Sequence, residues 1–406
     1  MTKPAPPPIL RPVSTPDAAI DPAPEPAASS APAPASESEP EPAATTPARA
    51  PARGKPWITA NQVTFLRLIL LPVGAGCLYG PAGAKYFALI FMTLVGCPVF
   101  VDGYLARKYG TTKLGSLMDP IADKVFVALV FIPFADKHWM PTWVIAGVFV
   151  REFLVTAART SHERRGIVLK SSYLGKVKTW FQMAGAGIAF LLIGVHDRGR
   201  MNLLFGIGVG ISAAGTVLAL VLQRWNQVRG GAIFTVSFAI FLGVNAAGGP
   251  DLMLAFMGYT ILGITWLSGF DYLASGVRRL GPKLDGADYV RFVAAVAIPI
   301  LALLCVKYTD APVWAMIVVV AFELSLGGLD QLLAHYKAQP SGLAWGVRSF
   351  AIIALLAAIL VERPGAASMR FIIAVLMTTL SVVTTFAIFW QSRAHYVDER
   401  PAKVAA

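Results

Sequence analysis

Residues 102–123 read DGYLARKYGTTKLGSLMDPIAD. The run sets Asp102, Asp119 and Asp123 among apolar, helix-forming stretches, with Gly103, Ala106 and Gly115 between them. A charged side chain at bilayer depth costs roughly 2.5–3.5 kcal/mol on insertion scales. Three carboxylates there point to a water-filled site, and hard oxygen donors of this kind suit a divalent cation. Asp119 and Asp123 are four residues apart, which places them on one side of a helix, able to grip one ion or a pair. Gly103 and Ala106, on adjacent turns, remove bulk where a neighbouring helix or a ligand approaches. Blander readings stand beside these. Gly103 with Ala106 is also what a plain packing face looks like; Asp102 with Arg107 also fits a structural ion pair and Asp123 with Lys124 interfacial charge, but their joint spacing weighs against a merely structural role.

Outward from this run, the chain is apolar nearly throughout. Of 406 residues 56% are hydrophobic and 14% charged, and the mean hydropathy is +0.61, which excludes an ordinary soluble domain. Stretches near the roughly 20 residues that cross a hydrocarbon core of about 30 Å recur at 62–80, 86–106, 117–135, 140–160, 174–195, 203–222, 231–248, 252–273, 289–306, 312–334, 343–362 and 370–391. The reading is an all-α, polytopic membrane helix bundle of about twelve spans.

The net charge of +12 does not indicate nucleic acid, because the basic residues cluster in short loops between apolar spans. Alternating loops place Arg107, Lys108 and Lys113, then Arg159, Arg164, Arg165, Lys170, Lys176 and Lys178, then Arg278, Arg279 and Lys283, on one side with both termini. By the positive-inside rule that side is the cytoplasm, and the membrane is a cell inner membrane. Asp102, Arg107, Asp119, Asp123, Arg151, Glu152, Lys176 and Lys178 then share the cytoplasmic face. Arg151 reads equally as a partner of Glu152 or as a snorkelling cation, and Lys176 and Lys178 as topology charges. Cys77, Cys97 and Cys305 lie in apolar surroundings without paired spacing, so neither a disulfide framework nor a zinc site is indicated.

Residues 1–55 are rich in Pro, Ala, Ser and Glu, lack aromatics and carry no apolar core after the first methionine. This composition predicts a disordered tail and not a signal peptide. A membrane domain over 57–280, a second over 286–395 and a short cytoplasmic tail at 396–406 complete the organisation.

The spacing D-G-x2-A-R-x7-G-x3-D-x3-D resembles the signature of the CDP-alcohol phosphotransferases (CDP-alcohol phosphatidyltransferases), membrane enzymes of phospholipid biosynthesis and lipid metabolism. NQVTFLRLILLP at 61–72 looks like the family's first span and DPIADK at 119–124 like its third. REFLV at 151–155, GKVKTWFQ at 175–182 and LSGFDYL at 267–273 look most like the phosphatidylglycerophosphate synthase branch. The resemblance implies divalent cations, Mg2+ or Mn2+, held against the diphosphate of CDP-diacylglycerol by Asp102, Asp119 and Asp123, with Asp123 also the base. It further implies a cytidine-diphosphate pocket lined by Gly103, Ala106, Arg107 and Gly115. Arg151, Lys176 and Lys178 would hold the phosphate of glycerol 3-phosphate, since an anionic acceptor needs fixed positive charge. One departure is serious. The family pattern begins D-x-x-D-G, and here CPVFVDG puts Val99 at its first position, where no nearby Asp, Glu, Asn or His stands in.

The C-terminal part carries an echo. ADYVRFVAAVAIPI at 287–300 aligns with ANQVTFLRLILLPV at 60–73, and LDQLLAHY at 329–336 with VDGYLARK at 101–108 at nearly the same offset. Asp330 then matches Asp102, but His335 replaces Arg107 and Gln331 replaces Gly103, so the second copy is degenerate, a scaffold for the first or a route to a homodimer. Three functions follow: phosphatidyl transfer from CDP-diacylglycerol to glycerol 3-phosphate, impaired to some degree by Val99; a catalytically inactive lipid- or nucleotide-binding subunit regulating a partner synthase; and, by span count alone, a transporter, against which the lack of broken-helix substrate motifs weighs.

Overall fold

The computed structural model describes residues 59–96, 113–167, 173–280, 284–338, 342–362 and 367–397. Among these the protein is helical, with no strand. The helices are α1 (Ala60–Cys77), α2 (Ala82–Gly96), α3 (Lys113–Asp136), α4 (Thr142–Glu163), α5 (Tyr173–Val195), α6 (Arg198–Val221), α7 (Trp225–Leu280), α8 (Gly286–Tyr308), α9 (Val313–His335), α10 (Gly342–Val361) and α11 (Ala367–Gln391), followed by a 3-10 turn, Arg393–His395. The positions of Val99, Asp102, Gly103, Ala106 and Arg107, and the tails, lie outside the described residues.

Seven of the helices are long and apolar enough to cross a membrane: α5 to α11, with α7 counted once. The remaining anticipated stretches fall on α1 to α4 and on the second limb of α7. Within the described residues, α1 and α2 offer apolar lengths of 61–77 and 83–95. α3 and α4 carry Asp119, Asp123 and Lys124, and Arg151, Glu152 and Arg159, inside otherwise apolar runs. α7 covers two of the anticipated stretches, and its limbs meet at Gly249, where φ is +73°. Only glycine takes that backbone conformation without strain, and Pro250 behind it cannot donate to the preceding turn, so the break falls between 231–248 and 252–273.

Helix starts are fixed locally. Thr59 caps α1 by accepting from the Gln62 amide at 3.3 Å, and the Gln62 side chain accepts from the Thr59 amide at 2.9 Å. The same reciprocal cap opens α8, between Asp285 and Asp288. These two starts sit at equivalent places in the echo. α1 and α8 begin 226 residues apart, at Ala60 and Gly286, and α4 and α11 end 228 apart, at Glu163 and Gln391. In both sets the first helix packs on the third, α1 on α3 and α8 on α10.

The two sets are packed against each other through α3, α4, α8 and α9. Gly327 and Gly328 let α9 lie close to α3 and α4. A Cβ on Gly327 would stand 3.0 Å from Thr156 Cγ2, and one on Gly328 would stand 3.4 Å from Ile121. Leu117 and Ile121 of α3 form an apolar cluster with Leu326, Leu329 and Leu333 of α9. At the end of α4 the contact turns ionic. Arg164 reaches Asp285 and Asp288, each at 3.0 Å, while Arg165 reaches Asp288 at 2.5 Å and Ser161 donates to it at 2.7 Å. Burial opposes the charge on Asp285, but the bonds from Arg164 and the Asp288 amide outweigh it and hold the carboxyl below its usual range.

Candidate functional site

α1 turns a polar stripe toward α3. Thr64 and Arg67, three residues apart and both buried, lie one turn from Leu71 on the face that also buries Ala75 and Leu78. Thr64 Oγ1 donates to Asp119 Oδ1 at 2.9 Å, and Arg67 Nη2 donates to Asp123 Oδ1 at 3.1 Å. The four-residue spacing of the carboxylates therefore meets a three-residue spacing of donors on the facing helix. Neither donor was singled out from sequence, although an arginine inside an apolar span is itself a signal of a partner at depth.

A cavity of about 490 Å³ opens at one end of the bundle, where α3 and α5 begin and α4, α7 and α9 end. Asp123 lines it; Asp119 is exposed and lies outside its wall. Lys124, Arg151, Arg159 and Lys178 face it with Glu152 and Glu163. Four cations against three carboxylates, Asp123 included, make the cavity net positive, a field suited to an anionic ligand.

Glu152 organises the cationic side. Its Oε1 accepts from Lys178 Nζ at 2.6 Å, from Arg151 Nη1 at 3.3 Å and from Gln182 Nε2 at 3.4 Å. Arg151 is 3% exposed and is held at its other end by Ser268, which accepts from Nη2 at 2.6 Å. Gly269 leaves the room this requires, since a Cβ there would sit 2.6 Å from Arg151 Nε. Lys124 Nζ donates to Thr156 Oγ1 at 2.8 Å, and Thr156 in turn donates to the Glu152 carbonyl. Arg159 lies over the Tyr272 ring at 4.7 Å.

Of the residues expected from sequence, the structure thus gathers Asp123, Arg151 and Lys178 around one cavity, with Asp119 a turn away on α3. Gly115 is buried in the first turn of α3. Lys176 lies on α5, and its side chain falls outside the described residues. Thr156 and Ser268 join the site with no role assigned from the sequence, Glu152 is the anticipated partner of Arg151, and Lys124 and Arg159, expected as interfacial or topology charges, face the cavity. REFLV and LSGFDYL, flagged only as resemblances, supply Arg151, Glu152, Ser268 and Gly269 to one cluster.

Among the described residues no three carboxylate, histidine or cysteine side chains converge as a metal cluster. Asp119 and Asp123 each bond through Oδ1, and two carboxylates one turn apart fit as part of a hard oxygen-donor set. Asp102 would be the third member.

The family profile for CDP-alcohol phosphatidyltransferase matches residues 57–225. A Rickettsia felis protein named CDP-diacylglycerol--glycerol-3-phosphate 3-phosphatidyltransferase is 34% identical over 146 residues, covering 35% of this chain and 79% of that one. The Bacillus subtilis protein of the same name is 29% identical over 145 residues, 32% of this chain and 75% of that one. A Mycobacterium tuberculosis H37Rv protein named probable phosphatidylglycerophosphate synthase is 34% identical over 137 residues. There the alignment covers 32% of this chain and 65% of the relative, just under two thirds of its length. No solved structure matches the chain. The chain belongs to the CDP-alcohol phosphatidyltransferase family. With its long apolar helices, it is a multi-pass membrane member of a family of phospholipid-synthesising transferases.

Proposed function

We propose that the protein transfers a phosphatidyl group from CDP-diacylglycerol to glycerol 3-phosphate, giving phosphatidylglycerophosphate and CMP. The observation that carries this reading is Asp123, half-exposed in a net-positive cavity beside the Arg151–Glu152–Lys178 cluster. The names of the aligned relatives supply the donor and the acceptor.

In this reading Asp102, Asp119 and Asp123 would hold Mg2+ or Mn2+, which would offset the charge of the donor diphosphate and ease departure of CMP. Arg67 fixes the Asp123 carboxylate through Oδ1, and Asp123 lines the cavity. The acceptor hydroxyl gives its proton to Asp123 as its oxygen bonds the phosphatidyl phosphorus, and the bond from that phosphorus to the CMP oxygen breaks. Lys178 and Arg151, cross-linked through Glu152, are held in place to receive the acceptor phosphate with Lys176, so little side-chain freedom is lost on binding. Gly103, Ala106, Arg107 and Gly115 line the cytidine side. The site faces the cytoplasm of an inner membrane, as the concentration of Lys and Arg at that end of the bundle favours.

Val99 supports a second reading, a lipid- or nucleotide-binding subunit with little turnover. Incubating the purified protein with CDP-diacylglycerol, Mg2+ or Mn2+ and a panel of alcohols while measuring CMP separates the two. Metal-dependent CMP release with glycerol 3-phosphate, abolished in Asp123→Asn, is expected. Unchanged release in Asp123→Asn would refute the base assignment.

A further inference from the structure

The cavity has a wall from outside the family-matched segment. Residues 57–225 supply α3, α4 and α5, but α9, in the degenerate C-terminal set, contributes Gly328, Gln331, Leu332 and His335 to the same lining. The contact is built and not incidental. Glycines at 327 and 328 bring the α9 backbone against Thr156, the residue that holds Lys124, and against Ile121, two residues before Asp123. The α9 register is then locked from the far side, where Arg291 of α8 donates to buried Asp330 at 2.9 Å, one residue before Gln331. At the mouth, His335 Nδ1 stands 3.2 Å from Glu163 Oε2, joining the ends of α9 and α4 across the opening.

We propose that α9 forms one wall of the acceptor subsite, with Gln331 and His335 as specificity-determining residues for the small, water-soluble alcohol phosphate. The position at the open polar end favours the acceptor over the diacyl donor. The lipid tails must stay among apolar helices, whereas a soluble acceptor enters from water past the His335–Glu163 pair. A one-turn spacing from Gln331 to His335 presents an amide and an imidazole along one line down the wall, and both exchange hydrogen bonds with hydroxyls readily. The second set of helices, which has no counterparts of Asp119 and Asp123, thereby remains part of the chemistry of the first.

This inference rests on the proposed transfer reaction, and thiol protection separates the two. In full-length protein with Cys77, Cys97 and Cys305 replaced by alanine, Gln331→Cys and, separately, Thr179→Cys on the family-matched wall are labelled with a maleimide. Glycerol 3-phosphate or CDP-diacylglycerol is added before labelling. At ten times its half-saturating level, glycerol 3-phosphate leaves about a tenth of sites free, so labelling at both positions should slow about tenfold. Slowing at 179 without slowing at 331 would overturn the α9 wall and leave the transfer reaction standing. Slowing at 331 by CDP-diacylglycerol alone would overturn its assignment to the acceptor. Slowing at neither position by either compound would overturn both the inference and the reaction beneath it.

Discussion

Arg67 on α1 and Asp123 on α3 meet at 3.1 Å, with the arginine buried and the carboxylate 38% exposed. The pair joins the interior of the bundle to its cavity, and it holds Asp123 through Oδ1. Arg67→Met keeps the length and apolar stem but removes the donor. CMP release should fall about 10–100-fold, the range seen when the hydrogen-bond partner of a ligand residue is lost. Thermal melting in detergent, measured in parallel, should change little, because Asp123 retains contact with water.

Val99 occupies the first carboxylate position of the family pattern. Val99→Asp restores an oxygen donor and should raise metal-dependent CMP release about tenfold or more, with tighter Mg2+ dependence. Wild-type protein that already turns over at a rate the substitution does not improve would show that the first carboxylate is dispensable here.

Gly269 gives Arg151 its passage to Ser268. With Arg151 pinned at both ends, a methyl group placed 2.6 Å from Nε forces the guanidinium out of line. Gly269→Ala should lower kcat/KM for the acceptor by about 10–100-fold, the scale of a misplaced positioning group. The half-saturating concentration of CDP-diacylglycerol should stay near wild type.

Buried in the second set of helices, Glu323 accepts two bonds from Arg348, at 2.7 and 2.5 Å, and a third from Ser381 at 2.9 Å. Glu323→Ala strands the guanidinium and should destabilise the protein by about 3–5 kcal/mol, whereas Glu323→Leu with Arg348→Met should recover most of the loss. Denaturant or thermal unfolding in detergent reads both.

Asp285 lies outside the spanning helices, and its carboxyl is held below the usual value of 3.8. A depressed carboxylate adds stability that is complete above its unfolded value and disappears as pH falls through the folded one. The melting temperature of wild type should therefore exceed that of Asp285→Asn by a constant margin from neutral pH down to about pH 5, and the margin should close below about pH 4. Asparagine keeps the capping ability of the position, so the difference reports charge alone.

The helical fold was legible because apolar length and its interruptions are local. The GGP at 248–250 falls in the gap between two anticipated stretches, and α7 breaks there. Charge interrupts apolarity in α3 and α4, yet both form helices over the anticipated stretches, Lys113–Asp136 and Thr142–Glu163. Within the site, Asp119 and Asp123 were readable from a four-residue spacing on one helix. Their partners Thr64 and Arg67 lie 55 and 56 residues earlier, a separation that no single-helix pattern encodes. Arg151 was read as either a ligand or the partner of Glu152, and it is bonded to Glu152 while lining the cavity. The echo at 329–336 draws attention to Gln331 and His335, but nothing in it shows that they line the cavity of the first set. Asp330 had been aligned with Asp102, yet it serves Arg291, and the neighbouring Gln331 carries the cavity contact.

Gly327 and Gly328 have a stoichiometric consequence. By letting α9 lie against α3 and α4, they fill the flank of those helices with the chain's own backbone, so a second molecule has no access to that flank. Any homodimer must assemble through other surfaces, and each polypeptide carries its own permanently tethered neighbour there.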